Sequence, residues 1–117
     1  MNNDQAVAAL GSLAQEHRLS IFRLLVQAGE QGMPAGAIAE TLGVPNSSLS
    51  FHLAHLHRAG LIHQERRSRS LIYSANYAGM NALVGFLMEN CCAGVAGGAK
   101  TACAPAASSA QPKRKSA

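Results

Sequence analysis

All three cysteines of this 117-residue chain lie in one short segment near its end. Cys91 and Cys92 are adjacent, and Cys103 follows after a loop of small residues that is rich in glycine. Thiolates are soft ligands that select thiophilic ions over magnesium or calcium, and a glycine-rich loop folds back at low steric cost. The spacing therefore predicts a site at which three sulfur atoms bind one soft ion. The alternatives are a thiol redox switch, in which Cys103 pairs with one of the adjacent cysteines, and three incidental thiols.

The residues from 46 to 55 have the composition of a surface that binds nucleic acid. The side chains predicted to face outward are Asn46, Ser47, Ser48, Ser50, Phe51, His52 and His55. Serine hydroxyls bind phosphates and base edges, and no acidic residue lies between 41 and 64 to repel a phosphate. We therefore predict that this surface contacts DNA, rather than serving only to cap a helix and to face water. The remaining alternative is an interaction module that uses the same surface to bind another protein. Its histidines are interpreted as polar surface groups in preference to metal ligands.

Three arginines, Arg66, Arg67 and Arg69, gather in a second polar segment. Flexible cations in such a segment can reach backbone phosphates or the minor groove. The neighbouring surface favours that interpretation over ordinary solvated charge. Glu65 precedes the cluster and is predicted to orient one of the arginines.

The chain shows no pattern that is typical of an enzyme. It has neither a GxGxxG loop nor a P-loop, and its six acidic residues are scattered. The formal net charge of +4 weakly favours a polyanionic partner. No apolar run approaches the roughly 20 residues of a membrane span, and the N-terminus lacks the pattern of a secretory signal. We therefore expect a cytoplasmic protein with reduced thiols that does not associate with membranes.

Hydrophobic periodicity indicates a mainly α protein with a small β-hairpin. The predicted helices are 4–15, 17–28, 35–43, 46–60 and 76–90, and the predicted strands are 61–66 and 70–75. Asp4 is predicted to cap the first helix, Gly43 to end the third, and Asn46 or Ser47 to cap the fourth. A short helix, a tight turn and a longer helix make a helix-turn-helix unit, and the hairpin that follows makes it a winged helix. The arginine cluster then lies at the tip of the wing. We predict one domain, residues 1–92, and a flexible tail, residues 93–117, that carries Cys103.

The predicted helices also indicate a second copy of the chain. In the fourth helix Leu49, Leu53 and Leu56 recur at helical spacing and are predicted to face the core. The first and last helices carry more apolar residues than one small core needs, namely Val7, Leu10, Leu83, Val84 and Leu87. Small domains often gain stability by dimerising. We predict a homodimer through these two helices, on DNA half-sites about one helical turn apart.

The stretch "SSLSFHLAHLHRAGLI" resembles the recognition helix and wing entry of the ArsR/SmtB family of winged-helix metalloregulatory repressors, and "HRLSIFRLL" resembles the family's second helix. The resemblance covers roughly residues 7 to 90. It implies a homodimer on a palindromic double-stranded operator, which an effector releases. It also implies that Ser47, Ser48, Ser50, Phe51 and His52 read the major groove and that Arg66, Arg67 and Arg69 form the wing.

The effector site departs from the common family patterns. The helix before the recognition helix, "PAGAIAETLG", contains no cysteine, and the last helix contains no histidine. The segment "ENCC" with a later third cysteine resembles a subgroup of arsenic repressors instead. That resemblance implies As(III), and possibly Sb(III), as the effector, with Cys91, Cys92 and Cys103 as ligands and no cofactor for DNA binding. Three sulfurs match the trigonal pyramid of arsenite, whereas zinc usually takes four ligands.

Overall fold

Five α-helices, a three-stranded antiparallel sheet and a short 3-10 helix make up residues 1–94, the part of the chain that the computed structural model describes. The helices are α1 (Asn3–Leu13), α2 (Glu16–Ala28), α3 (Ala35–Leu42), α4 (Asn46–Arg58) and α5 (Tyr77–Leu87). The strands are β1 (Met33–Pro34), β2 (Ile62–Arg67) and β3 (Ser70–Ala75), and the 3-10 helix is Cys91–Gly94. This order confirms the predicted winged helix-turn-helix fold.

The chain divides into two units. The first, Met1–Phe86, contains the helix-turn-helix and the sheet, and the second begins at Leu87 and includes Cys91 and Cys92. Cys103 and most of the predicted tail lie outside the described residues.

The turn between α3 and α4 ends one helix and starts the next without side-chain caps. Gly43 adopts the left-handed conformation at φ 68°, as its predicted role at the end of α3 requires. Pro45 then precedes α4 in an extended conformation, and no side chain caps the helix. The prediction that Asn46 or Ser47 caps α4 is therefore wrong. The hydroxyl groups of the first turn instead donate backward, from Ser48 Oγ to the carbonyl oxygen of Pro45 at 3.1 Å.

The prediction that Asp4 caps α1 is also wrong. Asn2, not Asp4, caps this helix, and its side chain accepts a hydrogen bond from the Gln5 N–H at 2.8 Å. The Gln5 Oε1 in turn accepts a hydrogen bond from the Asn2 N–H at 2.9 Å, so that the two residues form a capping box. The side-chain amide oxygen of each residue thus satisfies a backbone N–H group at the start of the helix.

The core of the first unit is formed where α2, α3 and α4 meet the sheet. Its largest fully buried apolar side chains are Ile21, Leu25, Ile38, Leu49, Leu53, Leu56 and Leu61. The three leucines of α4 are among them, which confirms the predicted inner stripe of that helix. Burying an aliphatic side chain of this size contributes about 1.5–3 kcal/mol, so the stripe fixes the rotation of α4 about its axis.

The wing is a three-stranded sheet in the order β1-β3-β2. The hairpin pairs Ile62 with Ala75 at its base and Arg67 with Ser70 at its tip. The sequence did not predict β1, whose Met33 pairs with Tyr73 of β3. Gly32 makes this pairing possible, since its φ is +70° and a Cβ there would overlap the carbonyl oxygen of Tyr73.

Asn76 joins the end of α4 to the start of α5. Its Nδ2 donates to the carbonyl oxygen of Gly60 at 2.9 Å, and its Oδ1 accepts from the Gly79 N–H at 3.0 Å. The backbone N–H of Asn76 donates to the carbonyl oxygen of Leu61 at 2.9 Å. One side chain thus caps α5 and holds it against the segment that leaves the recognition helix.

Candidate nucleic-acid interface

The exposed side of α4 carries small polar groups around one aromatic ring. Asn46, Ser47, Ser50 and Phe51 are exposed, and Ser48 is half-buried. Phe51 leaves 60% of its surface in solvent. Because no side chain caps α4, the backbone N–H groups of its first turn remain open to an acceptor such as a phosphate oxygen. Four of these residues therefore face outward as predicted, and Ser48 does so only in part.

His52 does not lie on that side, and its prediction as an outward residue is wrong. The side chain is 7% exposed, because position 52 falls three residues after Leu49 and four before Leu56 on the buried stripe. Arg18 Nη1 lies 3.3 Å from His52 Nδ1. Since a guanidinium group only donates hydrogen bonds, Nδ1 accepts, and the ring is neutral with its proton on Nε2.

The environment of His52 favours that neutral form. Burial, the charge of Arg18 and the neighbouring His17 and His55 rings together lower the pKa of His52 below 6.5, and burial is the largest cause. The His17 ring lies beside it, with 5.5 Å between the ring centroids.

Arg18 and Ser12 connect α4 to the junction of α1 and α2. Arg18 Nε donates to the carbonyl oxygen of Ser12 at 2.7 Å. Ser12 is fully buried, and its Oγ forms a hydrogen bond with His55 Nδ1 at 3.2 Å. His55 is thus half-buried and bonded to α1, although it was predicted to face outward. The roles of Arg18 and Ser12 could not be predicted, since nothing in their local spacing indicates partners 34 and 43 residues away.

The wing presents its arginines in two ways. Arg66 and Arg69 are exposed. Arg67 donates to Glu65 Oε1 from Nη2 at 3.0 Å and to the carbonyl oxygen of Gln31 from Nη1 at 3.0 Å. The structure thus confirms that Glu65 orients an arginine. The pair is about half exposed, so its contribution to stability is small; its effect is to fix the direction of the Arg67 side chain.

Comparisons with known proteins agree with this arrangement of helix and wing. A family model described as a helix-turn-helix domain matches residues 13–65. The HTH-type transcriptional regulator YgaV of Escherichia coli is 32% identical over 89 residues, which cover 76% of this chain and 88% of that protein. An ArsR-like transcriptional regulator from Rhodococcus superposes with a TM-score of 0.67 at 25% identity, covering 72% of this chain and 76% of that one.

The chain belongs to the ArsR-like family of winged helix-turn-helix transcriptional regulators. A further relative of known structure is Mb0332 from Mycobacterium bovis, a homodimeric winged helix-turn-helix DNA-binding domain with a TM-score of 0.59 and 29% identity. The match covers 74% of this chain and 81% of that domain. The regulator is thus a DNA-binding protein, and its relatives are transcriptional regulators rather than enzymes, as predicted. None of the described helices has the length and apolar character to cross a membrane.

The cysteines of this ArsR-like regulator follow α5. Asn90 and Cys92 both adopt left-handed conformations, with φ of 58° and 67°. In this turn the Sγ atoms of Cys91 and Cys92 approach to 2.9 Å, so both sulfur atoms lie on one side of it. Cys91 is disulfide-bonded in this structure. Within residues 1–94, no three cysteine, histidine or acidic side chains are grouped to hold a metal ion. A site with three sulfur ligands therefore needs one ligand more than the adjacent pair supplies, and the predicted one, Cys103, lies outside the described residues.

Proposed function

We propose that the regulator represses an arsenic-resistance operon and leaves its operator when As(III) or Sb(III) binds Cys91, Cys92 and Cys103. The approach of the Cys91 and Cys92 sulfur atoms to 2.9 Å is the observation that supports this function. Once Cys91 is reduced, this placement presents two thiols on one side of a turn, which suits a small thiophilic ion, and thiolates are the ligands that such ions prefer.

The chemistry of arsenite fits a site of three thiols. Each thiol gives its proton to one hydroxyl group of arsenous acid, that group leaves as water, and a sulfur–arsenic bond replaces it. Three such exchanges use all three cysteines and produce a neutral pyramidal centre without oxidation or reduction. A monomethyl arsenical offers only two exchangeable groups, so the adjacent pair alone satisfies it.

The DNA-binding form in this proposal is a homodimer on a palindromic operator. Val7 and Leu10 of α1 and Val84 of α5 are large apolar side chains that remain exposed in the single chain. The relative Mb0332 is homodimeric. A dimer through α1 and α5 buries these side chains, and its two-fold axis relates two recognition helices to two matching half-sites.

Effector and DNA are coupled through α5 in this proposal. The cysteine turn follows α5 directly in sequence, and Asn76 connects the other end of that helix to the end of α4. Binding of the ion fixes the turn and changes the position of α5 in the dimer. Thermodynamic linkage then requires that DNA weakens ion binding by the same factor by which the ion weakens DNA binding.

The test is an arsenite titration of the full chain, kept fully reduced, on a duplex that the chain itself selects from a random-sequence pool. Arsenite is expected to release the duplex, and Cys103→Ser is expected to raise the required concentration with unchanged affinity for DNA. Ser108→Ala is the control for a change in the same tail. Reduced protein that stays on DNA in excess arsenite but leaves on oxidation would replace the arsenic function with a redox switch.

A further inference from the structure

Phe51 is the large apolar side chain on the DNA-facing side of α4. It leaves 60% of its surface in contact with water, which is unfavourable for an apolar side chain unless a partner covers it. Ala54, three residues later on the same side of the helix, is also exposed. The two residues make a small apolar strip within a surface that otherwise consists of Asn46, Ser47 and Ser50.

The ring of Phe51 is supported in one direction by two histidines. It meets the His52 ring edge to face at 5.8 Å and 65°, and the His55 ring at 6.1 Å and 66°. Both histidines are themselves hydrogen-bonded, to Arg18 and to Ser12. Such edge-to-face aromatic pairs are favourable beyond the area that they bury. The ring is therefore held in place before any ligand arrives, as a binding residue should be.

The major groove offers one apolar group to such a ring. The edges of guanine, adenine and cytosine present only hydrogen-bond donors and acceptors there, whereas thymine adds its C5 methyl group. A phenyl ring against a purely polar base edge displaces water without replacing its hydrogen bonds, which costs free energy. Against a thymine methyl group the same ring gains apolar contact.

From this geometry we infer that Phe51 is a specificity-determining residue that contacts the C5 methyl group of a thymine in each operator half-site. The regulator then requires an A·T pair at that position and rejects the other pairs. This inference rests on operator binding through α4 and is independent of the cysteine site. Arg18 and Ser12 then contribute indirectly to DNA recognition, since they form hydrogen bonds with the histidines against which the ring packs.

The experiment removes the methyl group from the DNA and leaves the protein intact. The probe is again a duplex selected by the full chain, in which each thymine is replaced in turn by deoxyuridine. One thymine per half-site is expected to be sensitive, with binding about fourfold weaker for each methyl group lost. Replacing that T·A pair by 5-methylcytosine·G is expected to bind more tightly than replacement by C·G.

Protein variants test whether Phe51 is the residue that contacts the sensitive methyl group. Phe51→Ala is expected to bind the thymine and deoxyuridine duplexes equally, whereas Phe51→Leu keeps part of the preference. Val26→Ala, which shortens an exposed apolar residue of α2, is expected to keep the full preference. Thermal unfolding of each variant checks that the fold is retained.

The possible failures are distinct. If no single thymine is sensitive, or if Phe51→Ala keeps the preference, the inference is overturned while operator binding stands. If the full chain selects no sequence and its DNA binding does not weaken with salt, operator binding through α4 fails as well. In that case Phe51 is a docking residue for another protein, and the thymine contact is rejected with it.

Discussion

Arg18 makes contacts that connect three segments of the regulator. Its side chain donates to the carbonyl oxygen of Ser12 near the end of α1 and to His52 in the middle of α4, while Arg18 itself lies in the first turn of α2. Ser12 and His52 are buried, so water cannot reach the atoms that accept these hydrogen bonds, and Arg18 is the donor that satisfies them. A buried acceptor left without a donor costs about 1–3 kcal/mol.

Replacing Arg18 is therefore expected to destabilise the fold and to loosen α4. Arg18→Met keeps the apolar stem of the side chain and removes its donors. We expect a loss of about 1–3 kcal/mol in the free energy of unfolding in urea, together with weaker binding to a selected duplex. Arg23→Met, at an exposed position of the same helix, is the matched control and should change stability by less than about 0.5 kcal/mol. Equal losses in the two variants would contradict a specific role for Arg18.

The neutral state of His52 makes stability depend on pH. Its pKa in the folded protein lies below 6.5, so between that lower value and 6.5 the unfolded chain binds more protons than the folded chain. Stability is thus complete above pH 6.5 and falls as the pH is lowered through this window. His52→Gln cannot take up a proton and is expected to lose less stability between pH 7.5 and pH 5.5 than the unaltered chain, in urea unfolding at each pH. The same loss in both proteins would assign the effect to other groups.

At the level of elements, the helices were predictable and their connections were not. The spacing of Leu49, Leu53 and Leu56 identified α4 and its buried side, because local periodicity reports which face meets a core. The same periodicity left His52 ambiguous, since a polar side chain on that face is buried only when a partner satisfies it. That partner, Arg18, is 34 residues away in sequence. The two-residue strand β1 is too short to show an alternation of apolar and polar residues in the sequence.

The pairing of β1 with the wing depends on Gly32. Its φ of +70° is strained for any other residue, and an added Cβ would meet the carbonyl oxygen of Tyr73 and lie 2.9 Å from Ile72 Cγ2. Gly32→Ala is expected to lower the free energy of unfolding by about 2 kcal/mol or more. Gly36→Ala, in α3 with open space around it, is the control and should be neutral or slightly stabilising. Thermal unfolding that ranks the two variants the other way would contradict this account of the wing.

At the scale of the whole molecule, the fold class followed from the order of elements, whereas the sites depend on placement. Phe51, Ser47 and Ser50 could be assigned to the exposed side of α4 because the core stripe defines the opposite side. Arg67 could not be distinguished from Arg66 and Arg69, since its contact joins the end of β2 to Gln31, which is 36 residues away in sequence. Cys91 and Cys92 were identified by composition, and the structure adds that their sulfur atoms share one side of a turn.

Dimerisation of the whole molecule can be tested at its exposed valines. Val7 is 60% exposed on α1 and Val84 is 37% exposed on α5, which is a poor arrangement for a single chain in water. If two copies cover these side chains, Val7→Glu places an unpaired charge in the interface and weakens the dimer by about 3 kcal/mol or more. Sedimentation velocity should then show a monomer at concentrations where the unaltered chain is a dimer.

A monomer also tests how the regulator holds DNA. With one recognition helix it contacts one half-site and loses the gain from binding both at once. Val7→Glu should therefore bind a selected palindromic duplex much more weakly, and as weakly as it binds a duplex with a single half-site. Val26→Glu introduces the same charge at an exposed valine of α2 and should remain a dimer with full affinity. If Val7→Glu stays dimeric, α1 is not the interface, and the two half-sites must be held together by another face of the molecule.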